Sequence, residues 1–391
     1  MRKFFRRLGV FLLLLVVVLA ALGWWKREEL TRLMAVNSLF AEDRIVSNFS
    51  HMDTLFLTRP MQGGTPVPLP EGAPAAMPEG FDAWTESRQV TAIVVLHAGE
   101  VVYEDYRLGT GRDDLRVSWS MAKSALSLLL GTLVADGTIP DLDAPVTQYA
   151  PLLRGSAYDG ATIRDVLRMS SGVRFNEDYM DFWSDINRMG RVLALGGSMD
   201  GFAAGLTARR GAPGSDWQYV SIDTHVIGMV IRAATGRSIP DLMQERLFQP
   251  LGLDRAPYYI TDGEGVAFVL GGLNLTTRDF ARIGQLVLQD GQWQGQQLVP
   301  ADWIAESTAP GPHAAEEGTG YGYQWWLPPE ARPGEAWARG VYGQDIWIDR
   351  ARGVVIAVNS ADRSFTEDGI MQQNVAMFRA IADSLGAPPA E

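Results

Sequence analysis

The sequence predicts a mixed α/β (α+β) fold in which helices flank one antiparallel sheet. Strand patterns lie near both ends of the chain, in residues 91–107 and 321–359, whereas helix patterns with short glycine or proline breaks dominate the middle. A further helix pattern, from about Glu367 to Leu385, closes the chain. The most economical arrangement joins both chain ends in one sheet and inserts an all-helical lobe, residues 136–318, between them.

The composition agrees with a globular protein and excludes several classes of function. Of the 391 residues, 47% are hydrophobic and 20% are charged, which is enough to bury a large core. The 34 basic and 46 acidic residues give a net charge of −12, the wrong sign for a general nucleic-acid-binding protein. Because the sequence contains no cysteine, it excludes disulfides, thiolate zinc sites and cysteine nucleophiles.

The amino-terminal residues have the length and the flanking charges of a membrane anchor. Four basic residues precede an apolar or glycine run of eighteen residues, 8–25, and two basic residues follow it. Since positive charge favours the cytoplasmic side, the amino terminus is expected inside, with the rest of the chain on the periplasmic side of a bacterial inner membrane. A cleaved signal peptide is the alternative, although its apolar region is usually shorter.

The rest of the chain divides into a short segment and one large domain. Six prolines lie between Pro60 and Pro78, a composition that extends a chain rather than folding it, so this stretch is predicted to be a linker along the surface. The first predicted unit, residues 1–26, is a cytoplasmic stub and membrane anchor, and a membrane-proximal segment with the proline-rich linker follows at 27–80. The domain is predicted at 81–385. Its sheet part comprises residues 81–135 and 319–385, and its helical lobe comprises residues 136–318.

Each element of the domain follows from a local pattern. Apolar strands at Thr91–His97 and Val101–Arg107 flank Ala98 and Gly99, which form the turn of a hairpin. The next apolar stretch, Leu115–Ala135, is predicted to be helical. Further helices are predicted at Glu28–Leu39, Thr162–Met169, Thr224–Thr235, Ile239–Leu247 and Arg278–Gln289, and further strands at Tyr321–Leu327, Tyr342–Asp349 and Val354–Asn359.

Lys123 is unusual because lysine occurs only three times in the chain, and Lys3 and Lys26 flank the apolar amino-terminal run. The residues around Lys123 are apolar on most helix faces, so its amine is expected to be buried, where its pKa falls and it can act as a base. Ser120 precedes it by three positions, which places both side chains on one face of a helix. At the start of that helix, free amide groups favour an incoming anion.

Other catalytic arrangements fit the sequence less well. A serine triad needs a histidine, yet the sequence lacks the Gly-x-Ser-x-Gly elbow, and its nearest match, residues 196–200, ends in the wrong residue. The sequence contains no metal-ligand or phosphate-cradling motif, so no metal and no cofactor are expected. The four histidines are His51, His97, His225 and His313.

Three elements, in chain order, resemble the active-site motifs of penicillin-binding proteins and β-lactamases. Residues 120–123, Ser-Met-Ala-Lys, resemble the Ser-x-x-Lys nucleophile motif, and residues 219–221, Tyr-Val-Ser, resemble the Tyr-x-Asn or Tyr-x-Ser element. At the place of the third element, Lys-Thr-Gly, the sequence has Ala-Arg-Gly at 338–340, so the lysine is missing. The resemblance spans residues 81 to 385 and implies a β-lactamase/transpeptidase-like fold.

Two glycine-rich stretches, Gly340–Gln344 and Gly271–Asn274, are similar to the class C-like branch that contains 6-aminohexanoate-dimer hydrolases and esterases. The resemblance implies a serine hydrolase that acts on small esters, amides or short peptides. Taken alone, residues 219–221 also fit a turn and residues 274–277 a helix cap. By resemblance, the residues expected to contact the substrate are Gly340, Tyr342, Gly343, Gln344 and Asn274.

The resemblance also assigns roles to the three motifs. Ser120 is expected to attack a carbonyl and form an acyl-enzyme, with Lys123, Tyr219 or the two sharing a proton as the base. A cationic lysine nearby is expected to ease the ionisation of Tyr219, and Ser221 to hydrogen-bond Lys123 or the substrate. The backbone amides of Ser120 and Val341 are expected to hold the oxyanion before water releases the acyl group.

The lysine that is missing from the third motif affects which substrates are expected. In the family, that lysine helps to anchor a carboxylate, which Ala338 cannot do, and strand alternation predicts that Arg339 points to the opposite face. We therefore expect weak or absent β-lactam turnover and a preference for esters or amides without that carboxylate. The alternative function is that of a non-catalytic relative that binds peptidoglycan or an amide ligand.

Overall fold

A computed structural model describes residues 2–387, whose strands form antiparallel sheets of seven, four and two strands. The strands are β1 (Thr58–Pro60), β2 (Val90–His97), β3 (Glu100–Tyr106), β4 (Arg116–Val117), β5 (Tyr258–Ile260), β6 (Leu273–Leu275), β7 (Gln292–Trp293), β8 (Gln296–Gln297), β9 (Gly320–Tyr321), β10 (Trp326–Leu327), β11 (Glu335–Gly340), β12 (Gln344–Asp349) and β13 (Val354–Ser360). The helices are α1 (Arg2–Trp25), α2 (Arg27–Ser38), α3 (Ile45–Ser50), α4 (Phe81–Ser87), α5 (Met121–Ala135), α6 (Val146–Tyr149), α7 (Ile163–Leu167), α8 (Asp185–Ala194), α9 (Met199–Ala204), α10 (Ser221–Thr235), α11 (Ile239–Met243), α12 (Gln249–Leu251), α13 (Thr277–Leu288), α14 (Ala301–Ser307) and α15 (Ile370–Leu385). Short 3₁₀ turns lie at Met52–Thr54, Pro151–Leu153 and Glu316–Gly318, and a π-helical turn lies at Gln244–Phe248.

The seven-stranded sheet combines both ends of the domain in the order β3-β2-β13-β12-β11-β10-β9. This order confirms the predicted antiparallel sheet. The β2–β3 hairpin turns at Ala98 and Gly99, whose φ angles of 51° and 85° suit a two-residue turn. Residues 92–96 of β2 and 354–358 of β13 are continuous apolar runs because helices cover both faces of the sheet. Helix α13 packs on one face, and α15 packs on the other through Phe378, which contacts Trp347.

The middle of the chain is not all helical, which corrects the predicted lobe. Helices α6 to α12 lie within residues 146–251, but strands β5 and β6 follow and join β1 and β4 in the four-stranded sheet. Helix α13 packs against β2, β12 and β13, so it belongs to the sheet part of the domain. Its apolar period identifies a helix, but only long-range packing decides which layer that helix joins.

Two local predictions also need correction. The chain is not helical from residue 115, because Arg116–Val117 pairs with β6 as strand β4 and helix α5 begins only at Met121. The predicted strand Tyr321–Leu327 is two short strands, β9 and β10. The turn between them includes Gln324, whose φ of 65° is incompatible with one continuous strand.

The segment between α1 and the domain is packed onto the domain. Strand β1 pairs with β5, and the backbone amides of Met61 and Gly72 donate to the carbonyl oxygens of Pro257 and Val101. Its prolines do not prevent this docking, because an extended chain still forms hydrogen bonds through its other residues. The segment is therefore part of the core and more than a surface linker. Its buried apolar side chains include Leu39, Ile45, Phe49, Met52 and Phe56.

Helix α1 is apolar and exposed along its length. It has 24 residues, none of them buried, and a mean hydropathy of 2.6 over its most apolar 18-residue stretch. This length and composition suit either a membrane span or a signal sequence. Helix α2 begins only two positions after α1 ends.

Candidate active site

Ser120 lies where strand β4 gives way to helix α5. It caps the amino terminus of α5, and the preceding residue, Trp119, has a φ of 41°, a conformation that residues other than glycine rarely adopt. Lys123 follows one turn later. Its Nζ donates to Ser120 Oγ over 3.0 Å and to the carbonyl oxygen of Leu270 over 2.9 Å. The helical spacing therefore brings the hydroxyl and the amine into contact.

The Lys123 amine is buried and has no acidic partner. The residue is 1% exposed, and no carboxylate within residues 2–387 lies at ion-pair distance from Nζ. Burial lowers the pKa of Lys123 to about 7, although the charges of Glu177 and Asp223 oppose this shift. Near neutral pH, a large share of the amine is therefore uncharged and able to accept a proton.

The ring of Tyr219 packs beside this amine. Nζ of Lys123 lies 5.3 Å from the ring centroid, and the ring stacks on Trp326 with a centroid separation of 5.4 Å. Burial raises the pKa of Tyr219 well above its usual range, and the neighbouring Ser120 side chain offsets only part of that effect. The phenol therefore stays protonated, contrary to the expectation that a nearby lysine eases its ionisation.

Ser221 contacts a carboxylate instead of Lys123, which corrects one of the two expected hydrogen bonds; the other, to the substrate, stays a prediction. Its backbone N–H and its hydroxyl both donate to Glu177, the hydroxyl over 3.2 Å. The Tyr179 hydroxyl donates to the same carboxylate over 3.2 Å. Burial raises the pKa of Glu177, and the charge of Lys123 opposes that change. Glu177 could not be singled out from the sequence, because one acidic residue in an acidic loop forms no motif.

The loop between β11 and β12 approaches Ser120 closely. A Cβ at Gly340 would lie 2.7 Å from the carbonyl oxygen of Ser118 and 3.1 Å from the amide nitrogen of Ser120, so only glycine permits this approach. In the described chain, the backbone N–H groups of Ser120 and Val341 donate to no other residue. Two free amides beside a nucleophile are suited to hold an oxyanion.

Gln344 and Gly343 shape this loop and do not line a cavity, which corrects their expected substrate contact. Nε2 of Gln344 donates to the carbonyl oxygens of Tyr342 and Ser360 over 3.0 and 2.7 Å, and its Oε1 accepts from Asn359 over 2.9 Å. Gly343 has a φ of 76°, which the tight turn requires. Both residues therefore fix the conformation of the loop that carries Tyr342.

Asn274 also lies away from the candidate site. It is fully buried in β6, where its Nδ2 donates to the carbonyl oxygen of Gly272 over 3.0 Å. Thr276 caps helix α13 by accepting from the amide of Asp279, so the helix-cap interpretation of this stretch is correct. The expected contact between Asn274 and a substrate is therefore wrong, because the side chain has no access to a cavity.

The larger cavity beside Ser120 has a volume of about 390 Å³, and its charged side chains make it more polar than a neighbouring cavity of about 120 Å³. Arg339 lines the larger cavity, with its guanidinium 5.1 Å from the Trp326 ring. Strand alternation does place Arg339 and the buried Ala338 on opposite faces of β11. The cavity, however, lies on the face of Arg339. The expectation that Arg339 points away from the substrate site is therefore wrong. Other wall residues are Tyr219, Gly340, Val341 and the acidic residues Glu177, Asp178, Glu316 and Glu317.

The histidines stay outside this site. Within residues 2–387, none of the four lines the cavity beside Ser120. His225 is buried in α10, and its Nε2 lies 2.7 Å from Oδ1 of Asp200 on α9, which makes it part of the helix packing. Ser120 therefore has no imidazole base among the residues of its cavity.

The chain is similar to known proteins. A family described as Beta-lactamase matches residues 81–376. The chain belongs to the beta-lactamase family. Within this family, it is 33% identical to 6-aminohexanoate-dimer hydrolase from Paenarthrobacter ureafaciens over 284 residues, which cover 69% of this chain and 72% of that relative. It is 32% identical to esterase EstB from Burkholderia gladioli over 196 residues, which cover 44% of this chain and 47% of the esterase.

Solved structures of beta-lactamase-like proteins confirm the fold. A Bacillus anthracis protein assigned as a 6-aminohexanoate-dimer hydrolase superposes with a TM-score of 0.80 at 23% identity, covering 90% of this chain and 97% of its own. EstCE1, a hydrolase with promiscuous acyltransferase activity, superposes with a TM-score of 0.62 at 15% identity, covering 78% and 96%. With relatives named as hydrolases, this member of the beta-lactamase family is a serine hydrolase.

Proposed function

We propose that the chain hydrolyses small esters or amides through an acyl-enzyme on Ser120. The observation that carries this proposal is the 3.0 Å contact between Ser120 Oγ and the buried amine of Lys123, which has no acidic partner among the described residues. Such an amine can lose its proton near neutral pH and activate the hydroxyl. The free backbone amides of Ser120 and Val341 support the second requirement, a site for the oxyanion.

Acylation begins when Ser120 Oγ attacks the carbonyl carbon and its proton passes to the neutral Lys123 amine. The carbonyl oxygen becomes an oxyanion between the amides of Ser120 and Val341. When this intermediate collapses, the bond to the leaving oxygen or nitrogen breaks and that atom takes up a proton. Tyr219 relays this proton from Lys123, because its phenol stays protonated and lies beside both reacting groups.

Deacylation repeats these steps with water as the nucleophile. Lys123 takes a proton from water, the water oxygen attacks the acyl carbon, and Ser120 Oγ leaves and recovers its proton. Glu177 is a positioning residue in this scheme, because it holds Ser221 and Tyr179 by hydrogen bonds. Its negative charge also keeps the pKa of Lys123 from falling further.

The charge of the cavity favours substrates without a carboxylate. Residue 338 is a buried alanine, and Arg339 shares the cavity with four acidic residues. An anionic β-lactam would meet net negative charge there. We therefore expect neutral esters and amides to be turned over faster than nitrocefin, which a side-by-side rate measurement tests.

Helix α1 is proposed to be an uncleaved anchor, with the domain on the periplasmic side. The length and exposure of α1 support this, as do the basic residues that precede its apolar run. Alkaline carbonate extraction of membranes from cells that express the full chain tests it. Full-length protein should stay in the membrane pellet, whereas a soluble protein that lacks the apolar run would indicate a cleaved signal sequence.

Covalent labelling tests the proposed chemistry. The detergent-solubilised full chain is treated with a fluorophosphonate probe and its mass is measured, beside the variant Ser120→Ala. A single adduct that is absent from the variant is expected, together with hydrolysis of p-nitrophenyl acetate. A folded wild-type chain that forms no adduct would favour the non-catalytic, amide-binding alternative.

A further inference from the structure

A second cavity, of about 120 Å³, adjoins Ser120 and is mostly apolar. Most of its wall comes from the amino-terminal segment, helix α8, the loop before β6 and the β11–β12 loop, and Trp119, Ser120, Tyr179 and Ser221 complete it. An apolar recess beside a reactive hydroxyl suits a hydrocarbon group better than a polar one. Among its wall residues are Phe40, Phe56, Met189, Leu193, Phe268 and Tyr342.

The two cavities meet at the reacting atoms, since Ser120 and Val341 line both. Tyr219 lines only the polar cavity, so a leaving group that takes its proton from this phenol departs there. The acyl half of the substrate, which stays on Ser120, then extends into the apolar cavity. The structure therefore separates the two halves of a substrate by polarity.

We propose that the apolar cavity binds a straight-chain aliphatic acyl group, a proposal that rests on the hydrolase mechanism above. The preferred substrates are esters or amides of medium-chain fatty acids with a small polar leaving group. Phe40 and Phe56 lie outside residues 81–376, which match the family, so the amino-terminal segment contributes to this specificity. Phe40 is fixed by stacking on Tyr342, with ring centroids 4.6 Å apart.

Two isomeric esters test which half of the substrate carries the chain. Ethyl octanoate has its long chain on the acyl side and octyl acetate has it on the alcohol side, while both partition similarly into detergent. For the solubilised full chain, we expect kcat/KM to be about tenfold or more higher for ethyl octanoate. In a series of p-nitrophenyl esters, kcat/KM should rise by up to about fourfold per acyl methylene. Equal rates, or a preference for octyl acetate, would overturn the proposal.

Gly190 allows the cavity to be filled without disturbing the core. It lies on α8 at helical spacing from Ile186 and Leu193, which also line the cavity, and a Cβ there would meet no atom within 4 Å. We expect Gly190→Leu to lower the ratio of octanoate to acetate turnover about tenfold or more, and Gly190→Ala to lower it less. Both substitutions favour the helix, so the fold should be retained.

Gly201→Leu is the matched control. Gly201 is an exposed glycine of helix α9 that lines neither cavity, and a Cβ there would lie 3.5 Å from Ser198, an ordinary contact. Its turnover ratio should equal that of the wild type. An unchanged ratio in folded Gly190→Leu would reject the acyl cavity while leaving the hydrolase intact. A wild-type chain that neither hydrolyses esters nor reacts with the fluorophosphonate would reject the proposed function, and the acyl cavity with it.

Discussion

Arg282 on α13 and Lys123 on α5 are both cations that the fold removes from water. Arg282 is 0% exposed and forms ion pairs with Asp279 and, over 3.0 Å, with Asp254. Lys123 is 1% exposed, but among residues 2–387 its amine donates only to two uncharged oxygens. The two side chains are thus equally buried, and only the arginine has its charge neutralised by acidic partners.

The difference follows from the chemistry of the two side chains. Arginine stays protonated in a protein, so its burial without carboxylate partners would be very costly. Lysine can release its proton instead, and burial lowers the pKa of Lys123 to about 7. An acidic partner at contact distance would restore the charge and remove the base. Pairing therefore makes Arg282 structural, and the lack of pairing makes Lys123 suited to catalysis.

Removal of the unpaired amine should have the largest effect. We expect Lys123→Met to lower kcat/KM for p-nitrophenyl acetate by about 10⁴-fold, the upper end for a general base. Steady-state kinetics measure this loss, and circular dichroism should show a folded protein because methionine fills similar space without a charge. Activity that stays within about tenfold of the wild type would remove Lys123 from the mechanism.

Removal of the paired cation should reduce stability and leave the chemistry intact. Arg282→Met leaves Asp254 and Asp279 unpaired, so the free energy of unfolding should fall by about 3–5 kcal/mol. Urea unfolding measures this, with activity per folded molecule expected at the wild-type level. Arg237→Met breaks an exposed pair with Glu245 and, as a control, should cost less than about 1 kcal/mol. Equal losses in the two variants would contradict the comparison.

Local spacing was enough to identify the lysine but not the carboxylates. Ser120 and Lys123 could be recognised from the sequence because a helix fixes the distance between residues three positions apart. The β2–β3 hairpin and helix α10 were predictable for the same reason, since their apolar periods and turn residues are local. Arg282, in contrast, has only one of its two aspartates at such a spacing, because Asp254 is 28 residues away, and Glu177 meets Ser221 across 44 residues. No local rule pairs residues at such separations.

Three further features depend on the folded chain. The proline-rich stretch 60–78 resembles a linker because prolines disfavour regular structure, yet its Leu69 is buried and its Gly72 donates a hydrogen bond to Val101 of the large sheet. Arg339 was assigned to the wrong face because alternation defines two faces without indicating which one carries the cavity. Asn274 was expected to touch substrate, but a motif match does not report burial. Whether a side chain is buried, and which face of the sheet borders the cavity, both depend on how the layers of the fold pack together.

The two cations should also differ in their response to pH. Lys123 acts as a base only when unprotonated, so kcat/KM should fall by about tenfold per pH unit below its pKa of about 7 and level off above it. A pH–rate profile for p-nitrophenyl acetate, corrected for spontaneous hydrolysis, measures this. The fluorophosphonate labelling rate should follow the same curve, because it needs the same deprotonation of Ser120. A profile that stays flat two units below neutrality would exclude Lys123 as the titrating base.

The smallest expected effect comes from removing the Thr276 hydroxyl, which hydrogen-bonds Asp279, an ion-pair partner of Arg282. The hydroxyl of Thr276 donates to the Asp279 carboxylate over 2.9 Å and accepts from the Asp279 amide over 3.1 Å. Thr276→Ala should therefore lower the free energy of unfolding by about 1 kcal/mol without changing kcat/KM. In the Arg282→Met background the loss should be larger, because the buried carboxylate then keeps only that hydroxyl and the Asp254 amide as hydrogen-bond donors among the described residues. Urea unfolding of the wild type, both single variants and the double variant gives the coupling energy. If the two single-variant losses add up to the loss of the double variant, the Thr276 cap and the Arg282 ion pair act on Asp279 independently. The burial of Arg282 would then depend on its charge partners alone.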